Sequence, residues 1–157
     1  MNMRISSYSM LIEEGRPYLV KESARNIPEI QELRNPEQVY ELFKKLKVTL
    51  CAEEHVYMLA LNAKYRVIGL FEISHGTVNE CLVSPREVLI RALLCGAAAI
   101  FLVHNHPSGD PQPSTMDTVA TKRMHQACKM IGIELLDHII VGDHYYSFLE
   151  NGGMENE

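Results

Sequence analysis

Residues 97–103, an uninterrupted Ala-Ala-Ala-Ile-Phe-Leu-Val, constrain this chain most. A strand with one wet face alternates apolar and polar side chains. A run that is apolar throughout, bounded by Gly96 before it and polar residues after, fits a strand covered by helices on both faces. That predicts a layered α/β fold. Two imidazoles come directly after the run, His104 and His106. Successive strand residues point to opposite faces, so both histidines emerge on one side at the strand's carboxyl end.

The next segment is equally informative. A loop holding Pro107, Gly109, Pro111 and Pro113 leads to Ser114-Thr115-Met116-Asp117. Ser114 is placed to cap a helix running from Thr115 to about Ile131, which Gly132 ends. Asp117 then falls in the first turn, where its carboxylate can meet the two imidazoles. Rigid prolines lower the entropic cost of holding that loop in one shape. Two histidines, one carboxylate and one open position form the ligand set of a catalytic zinc site. His104, His106 and Asp117 are therefore the expected ligands of Zn2+.

Such a site also needs a group to take a proton from water. Glu53 and Glu54 precede the apolar strand Val56 to Leu61, and either can lie at the rim of the same sheet. Alternation admits only one of them to the site, and the flanking residues do not say which. Ser114 is first a helix cap, and its hydroxyl is also a candidate donor to an oxyanion.

Other elements frame these residues. Two short strands are expected within 4–22 around Glu13-Glu14-Gly15-Arg16, with 23–35 polar and irregular. Asn35-Pro36-Glu37 opens a helix through about Lys47, with Val39, Leu42, Phe43 and Leu46 on one face. Val56 to Leu61 and Val67 to Ile73 form a hairpin, and 78–83 reads as a further short strand. Ser84-Pro85-Arg86-Glu87 predicts a helix start in which Ser84 caps and Glu87 reaches back to the Ser84 amide. That helix runs to Cys95. Ile133 to Val141 and Tyr145 to Leu149 are strands joined at Gly142-Asp143.

Size and charge narrow the function. A chain of 157 residues that is 46% hydrophobic supports one core without staples. Cys51, Cys81, Cys95 and Cys128 form no CxxC pair and read as reduced thiols, which predicts a cytoplasmic protein. No stretch approaches the roughly 20 apolar residues of a membrane span. The net charge of −5 falls wholly in residues 54–157, since 1–53 carry eight Lys/Arg and eight Asp/Glu. The half bearing the histidines is thus acidic, which gives little ground for nucleic acid as a partner. The cluster Lys44-Lys45-Leu46-Lys47 reads as a solvated helix end. His55, His75, His125, His138 and His144 read as core or surface residues. A zinc deaminase is excluded, because neither His-x-Glu nor Pro-Cys-x-x-Cys occurs.

His104-x-His106, seven residues, then Ser114-x-x-Asp117 resembles the JAMM metalloprotease signature, also called MPN+ or JAB. The wider text is similar to the RadC domain of bacteria. It includes Val83-Ser84-Pro85-Arg86-Glu87-Val88, Leu102 to Pro111, and Gly132-Ile133-Glu134-Leu135-Leu136-Asp137-His138-Ile139-Ile140-Val141-Gly142. The resemblance implies a cytidine-deaminase-like, three-layer α-β-α sandwich with a mixed sheet. It implies Zn2+ on His104, His106 and Asp117, with Glu54 of Glu54-His55 as the water-activating carboxylate. It also makes Asp137-His138 a candidate for a place behind the site.

The expected organisation is a strand-and-irregular extension over 1–35, a RadC-like JAMM domain over 36–152 and a loose tail over 153–157. Residues 1–35 are too short for the helix-hairpin-helix region that RadC proteins usually carry, which weakens a DNA link. The expected function is zinc-dependent hydrolysis of an amide bond in a peptide or protein substrate. The alternative is a binding or scaffold protein of DNA repair or of mobile elements, with a structural zinc.

Overall fold

A computed structural model describes residues 3–27, 30, 32–76 and 83–155. Among the described residues, seven strands and three α-helices run in the order β1 (Met3–Glu13), β2 (Arg16–Ile27), α1 (Pro36–Lys45), β3 (Glu54–Leu61), β4 (Val67–Gly76), α2 (Pro85–Leu94), β5 (Ala99–Asn105), α3 (Thr115–Ile131), β6 (Glu134–Val141) and β7 (Tyr145–Ser147). A 3-10 turn at Val48–Leu50 joins α1 to β3. The strands form one mixed sheet in the order β2-β1-β4-β3-β5-β6-β7. β5 runs parallel to β6 and antiparallel to β3. The expected strand at 78–83 falls almost wholly outside the described residues.

The apolar run becomes β5, whose seven residues are all buried. Alternation divides its side chains between two cores. Ala99, Phe101 and Val103 pack with Val39, Leu42 and Phe43 of α1. Ile100 and Leu102 pack with Val88 and Ala92 of α2 and with Met124 and Cys128 of α3. One helix therefore covers one face and two cover the other, which is the three-layer α/β sandwich. Among the described residues no helix is long and apolar enough to cross a membrane. Cys51, Cys95 and Cys128 are free thiols, and Cys81 lies outside the described residues.

Local chemistry sets most of the boundaries. Asn35 caps α1 by accepting the Gln38 amide at 2.9 Å, with Pro36 in the first turn. The β1–β2 hairpin turns on Glu14 and Gly15, with φ of 49° and 75°. Two successive positive φ values suit a two-residue hairpin loop, and glycine adopts one of them without a steric penalty.

The structure corrects three local expectations. Residues 23–27 are not irregular but continue β2, because an edge strand needs only backbone pairing to β1 and tolerates polar side chains on both faces. Ser84 makes no side-chain cap: the Glu87 N–H donates to the Ser84 carbonyl at 3.1 Å, and the Glu87 carboxylate turns to Arg86 at 2.8 Å and Arg91 at 3.2 Å. Charge-assisted bonds outcompete the neutral amide of the capping box. Of the stretch read as a tail, Met154 is 8% exposed and packs in the core with Phe148.

Candidate metal centre

Four side chains meet where the amino end of β3, the carboxyl end of β5 and the first turn of α3 converge: Glu54, His104, His106 and Asp117. Each is delivered by strand parity or helix phase. On β5, His104 shares its face with Ile100 and Leu102, the face covered by α2 and α3. Val56 pairs with His104 across the sheet, and Met58 and Ala60 lie in the same core. Glu54 shares their parity, so it leaves β3 on the face carrying the imidazoles. Its Oε1 lies 3.7 Å from the Nε2 atoms of both His104 and His106.

Asp117 reaches the cluster while serving its helix. Its backbone N–H donates to Ser114 Oγ at 3.0 Å, and its Oδ2 accepts the Ser114 N–H at 2.8 Å. This capping box fixes the carboxylate. Its Oδ1 then faces His104 Nε2 and its Oδ2 faces His106 Nε2, each at 3.3 Å. Ser114, predicted as a cap and an oxyanion donor, holds the first of those places and lies next to the cluster through Asp117.

The ring nitrogens are oriented from behind. In its neutral form His106 donates Nδ1–H to the Asp110 carbonyl at 2.9 Å, which leaves Nε2 without a proton. His104 Nδ1 meets His138 Nε2 at 2.7 Å, and His138 Nδ1 meets Thr121 Oγ1 at 2.5 Å. Thr121 donates to the Asp117 carbonyl at 2.7 Å, so its oxygen accepts from His138 Nδ1. His138 Nε2 then accepts from His104 Nδ1, and His104 Nε2 is also left bare. These proton positions are assigned from the partners along the chain. His138 is buried, and desolvation with the nearby His104 holds its pKa well below the usual imidazole value. It stays neutral, as an acceptor must.

Asn105 aligns the carboxylate from the other face of β5. Its Nδ2 donates to the Glu53 carbonyl at 2.9 Å and its Oδ1 accepts the His55 N–H at 2.7 Å. The two bonds grip the backbone on either side of Glu54. The loop after His106 is held by a close approach: Asp143 N–H donates to the Gly109 carbonyl at 2.8 Å, and a Cβ on Gly142 would collide with that carbonyl.

A tetrahedral zinc with bonds of about 2.0–2.1 Å keeps its ligand atoms about 3.3 Å apart. The His104–His106 nitrogens are 3.1 Å apart and each lies 3.3 Å from an Asp117 oxygen. The triangle fits a divalent cation, and two facing carboxylates supply the charge that balances it. Burial raises the Glu54 pKa above the usual carboxylate value. Burial would raise Asp117 as well, but the facing His104 and His106 hold it well below the usual range. Burial pushes His106 down, yet Asp117 and the Asp110 carbonyl bring its pKa above the usual imidazole value. Protons held at the bare cluster are those a cation displaces.

Residue types and spacing assign no role to Asn105 and Thr121, and His138 is expected behind the site only through the family resemblance. Asn105 sits between two ligands, and a buried amide in that place marks it. Thr121 lies four residues after Asp117, one helical turn on.

A mixed sheet with this His-Glu-Asp cluster at the end of a central strand defines an α/β protein of the JAB type, with a cluster compatible with a metal ion. The family described as RadC-like JAB domain matches residues 33–154, and the chain belongs to it. Its relatives include a UPF0758 protein of Clostridium acetobutylicum, 43% identical and covering 74% of this chain and 57% of the relative. A UPF0758 protein of Pelobacter propionicus is 41% identical over 82% of this chain and 56% of its own. One of Alkaliphilus metalliredigens is 44% identical over 78% and 53%. The chain thus spans little more than half the length of these relatives.

Proposed function

We propose that the protein is a zinc-dependent hydrolase of amide bonds, of peptidase or isopeptidase type, acting on a peptide or protein substrate. The observation that carries this reading is the convergence of Glu54 on the His104–His106–Asp117 triangle. A zinc ion with an open position polarises a carbonyl and makes water a nucleophile near neutral pH.

The protein's own groups supply the rest. Glu54 Oε1 takes a proton from the attacking water and delivers it to the leaving nitrogen. Its burial, which raises its pKa, suits a group that must both accept and return a proton. Ser114 accepts the Asp117 amide on a lone pair and keeps its own O–H proton for the developing oxyanion. Val56, Val83, Met116 and Ala120 line a cleft beside His104 and Asp117, an apolar wall for the substrate chain.

The test is hydrolysis of a quenched fluorescent peptide library by zinc-loaded wild type and Glu54→Gln. Wild type is expected to cleave, to lose activity to a chelator and to regain it with zinc. The variant should lose about 10²–10⁴-fold in rate while still binding the ion. Equal, chelator-insensitive turnover by both proteins overturns the reading.

A further inference from the structure

A second donor cluster lies on the other face of β3. His55 is next in the chain after Glu54, so its side chain leaves the strand on the face covered by α1, beside Tyr57, whose ring stacks on it at 6.0 Å. β3 and β4 are antiparallel, and His55 sits directly opposite His75. Their rings stack at 5.5 Å with 26° between planes.

Glu72 joins them because of a bulge. An odd separation along a regular strand would put Glu72 and His75 on opposite faces. The register instead pairs Val56 with Ser74 and Tyr57 with Glu72, which leaves Ile73 as an extra residue. Such an insertion re-aims the side chain beside it. Glu72 Oε1 accordingly lies 2.8 Å from His55 Nδ1 and 3.4 Å from His75 Nδ1. One ligand atom from each of the three residues lies within 4.8 Å of the others.

We propose that His55, Glu72 and His75 form a second divalent-cation site, solvent-facing and sharing no ligand with the His104 centre. Two imidazole nitrogens and one carboxylate oxygen suit Zn2+, Ni2+ or Cu2+ rather than Mg2+ or Ca2+, which prefer oxygen alone. The side chains of Glu72 and His75 are 45% and 62% exposed, which leaves coordination positions for water and makes this the weaker of the two sites. A cation there also bears on the first site, since Asn105 holds the His55 N–H and the Glu53 carbonyl together. Fixing His55 stiffens the strand end that presents Glu54.

Equilibrium dialysis of the full chain against Zn2+, with the metal counted by mass spectrometry, tests this. Wild type is expected to take two ions of unequal affinity, and His75→Ala and Glu72→Gln to bind the weaker one at least about tenfold less tightly, with the tighter one unchanged. One ion in wild type at saturation overturns the proposal. So do two ions in both variants at wild-type affinity, since the three residues are then only a hydrogen-bonded cluster. Imidazole ¹⁵N resonances of wild type give a reading free of any folding defect. His55 and His75 must both shift as the second equivalent of Zn2+ is added, and unmoved resonances contradict the proposal.

Discussion

His138 is not among the proposed ligands, yet the proposed metal centre depends on it. By accepting the His104 Nδ1–H it leaves Nε2 bare, and its own Nδ1–H ends in Thr121 and the Asp117 backbone. One ligand is thereby tied to the backbone of another. A partner of this kind contributes about 10–100-fold in metal affinity. His138→Leu should weaken Zn2+ binding by about that factor in competition with a chromophoric chelator. His138→Gln can accept from His104 and donate to Thr121, so it should restore most of the loss. Equal affinity in wild type and both variants would show that the tautomer needs no such support. The side chains that touch the proposed ion were legible because their types and spacing announce them. Of their supports, His138 was marked only by the family resemblance, and Thr121 carries no mark until the fold brings it against that histidine.

At the scale of elements, local rules explain what was read well. The Asn35 and Ser114 caps, Pro36 and Gly132 act within a few residues of themselves, so α1 begins, and α3 begins and ends, where those residues put them. Ser84 does not cap through its hydroxyl: the Glu87 N–H takes the Ser84 carbonyl, and Arg91, a turn further on, holds the Glu87 carboxylate. The choice between Glu53 and Glu54 was closed to the residues alone because it depends on the pairing of Val56 with His104, far apart in sequence. The junction of β6 and β7 has its own titration. Asp137, 1% exposed, accepts from Ser147 Oγ at 2.5 Å and from the Leu149 N–H at 2.9 Å. Burial still raises its pKa from 3.8 to about 6. The folded state thus binds this proton more tightly than the unfolded chain. The resulting stability is complete below the unfolded pKa and is lost as pH rises through about 6, a difference of at most about 3 kcal/mol. Urea unfolding at pH 4 and pH 7 should therefore show wild type losing more stability over that interval than Asp137→Asn. Parallel losses would contradict it.

Over the whole molecule, the sheet separates two cores and brings three distant segments to one end. Neither β3, β5 nor α3 holds the site alone, so an ion there ties together chain segments that packing merely places side by side. The family was legible because His104, His106, Ser114 and Asp117 fall within fourteen residues. The place of the amino-terminal hairpin was not, because β1 joins the sheet through a short parallel pairing of Ser7 and Tyr8 with Leu70 and Phe71. Whether His104, His106 and Asp117 grip one divalent cation is tested most directly by X-ray absorption at the zinc edge, on His75→Ala protein carrying one equivalent of Zn2+. The expected spectrum shows a shell of nitrogen and oxygen alone at about 2.0–2.1 Å, with outer scattering from two imidazoles. A sulfur shell at about 2.3 Å, or the absence of imidazole scattering, would contradict that metal centre.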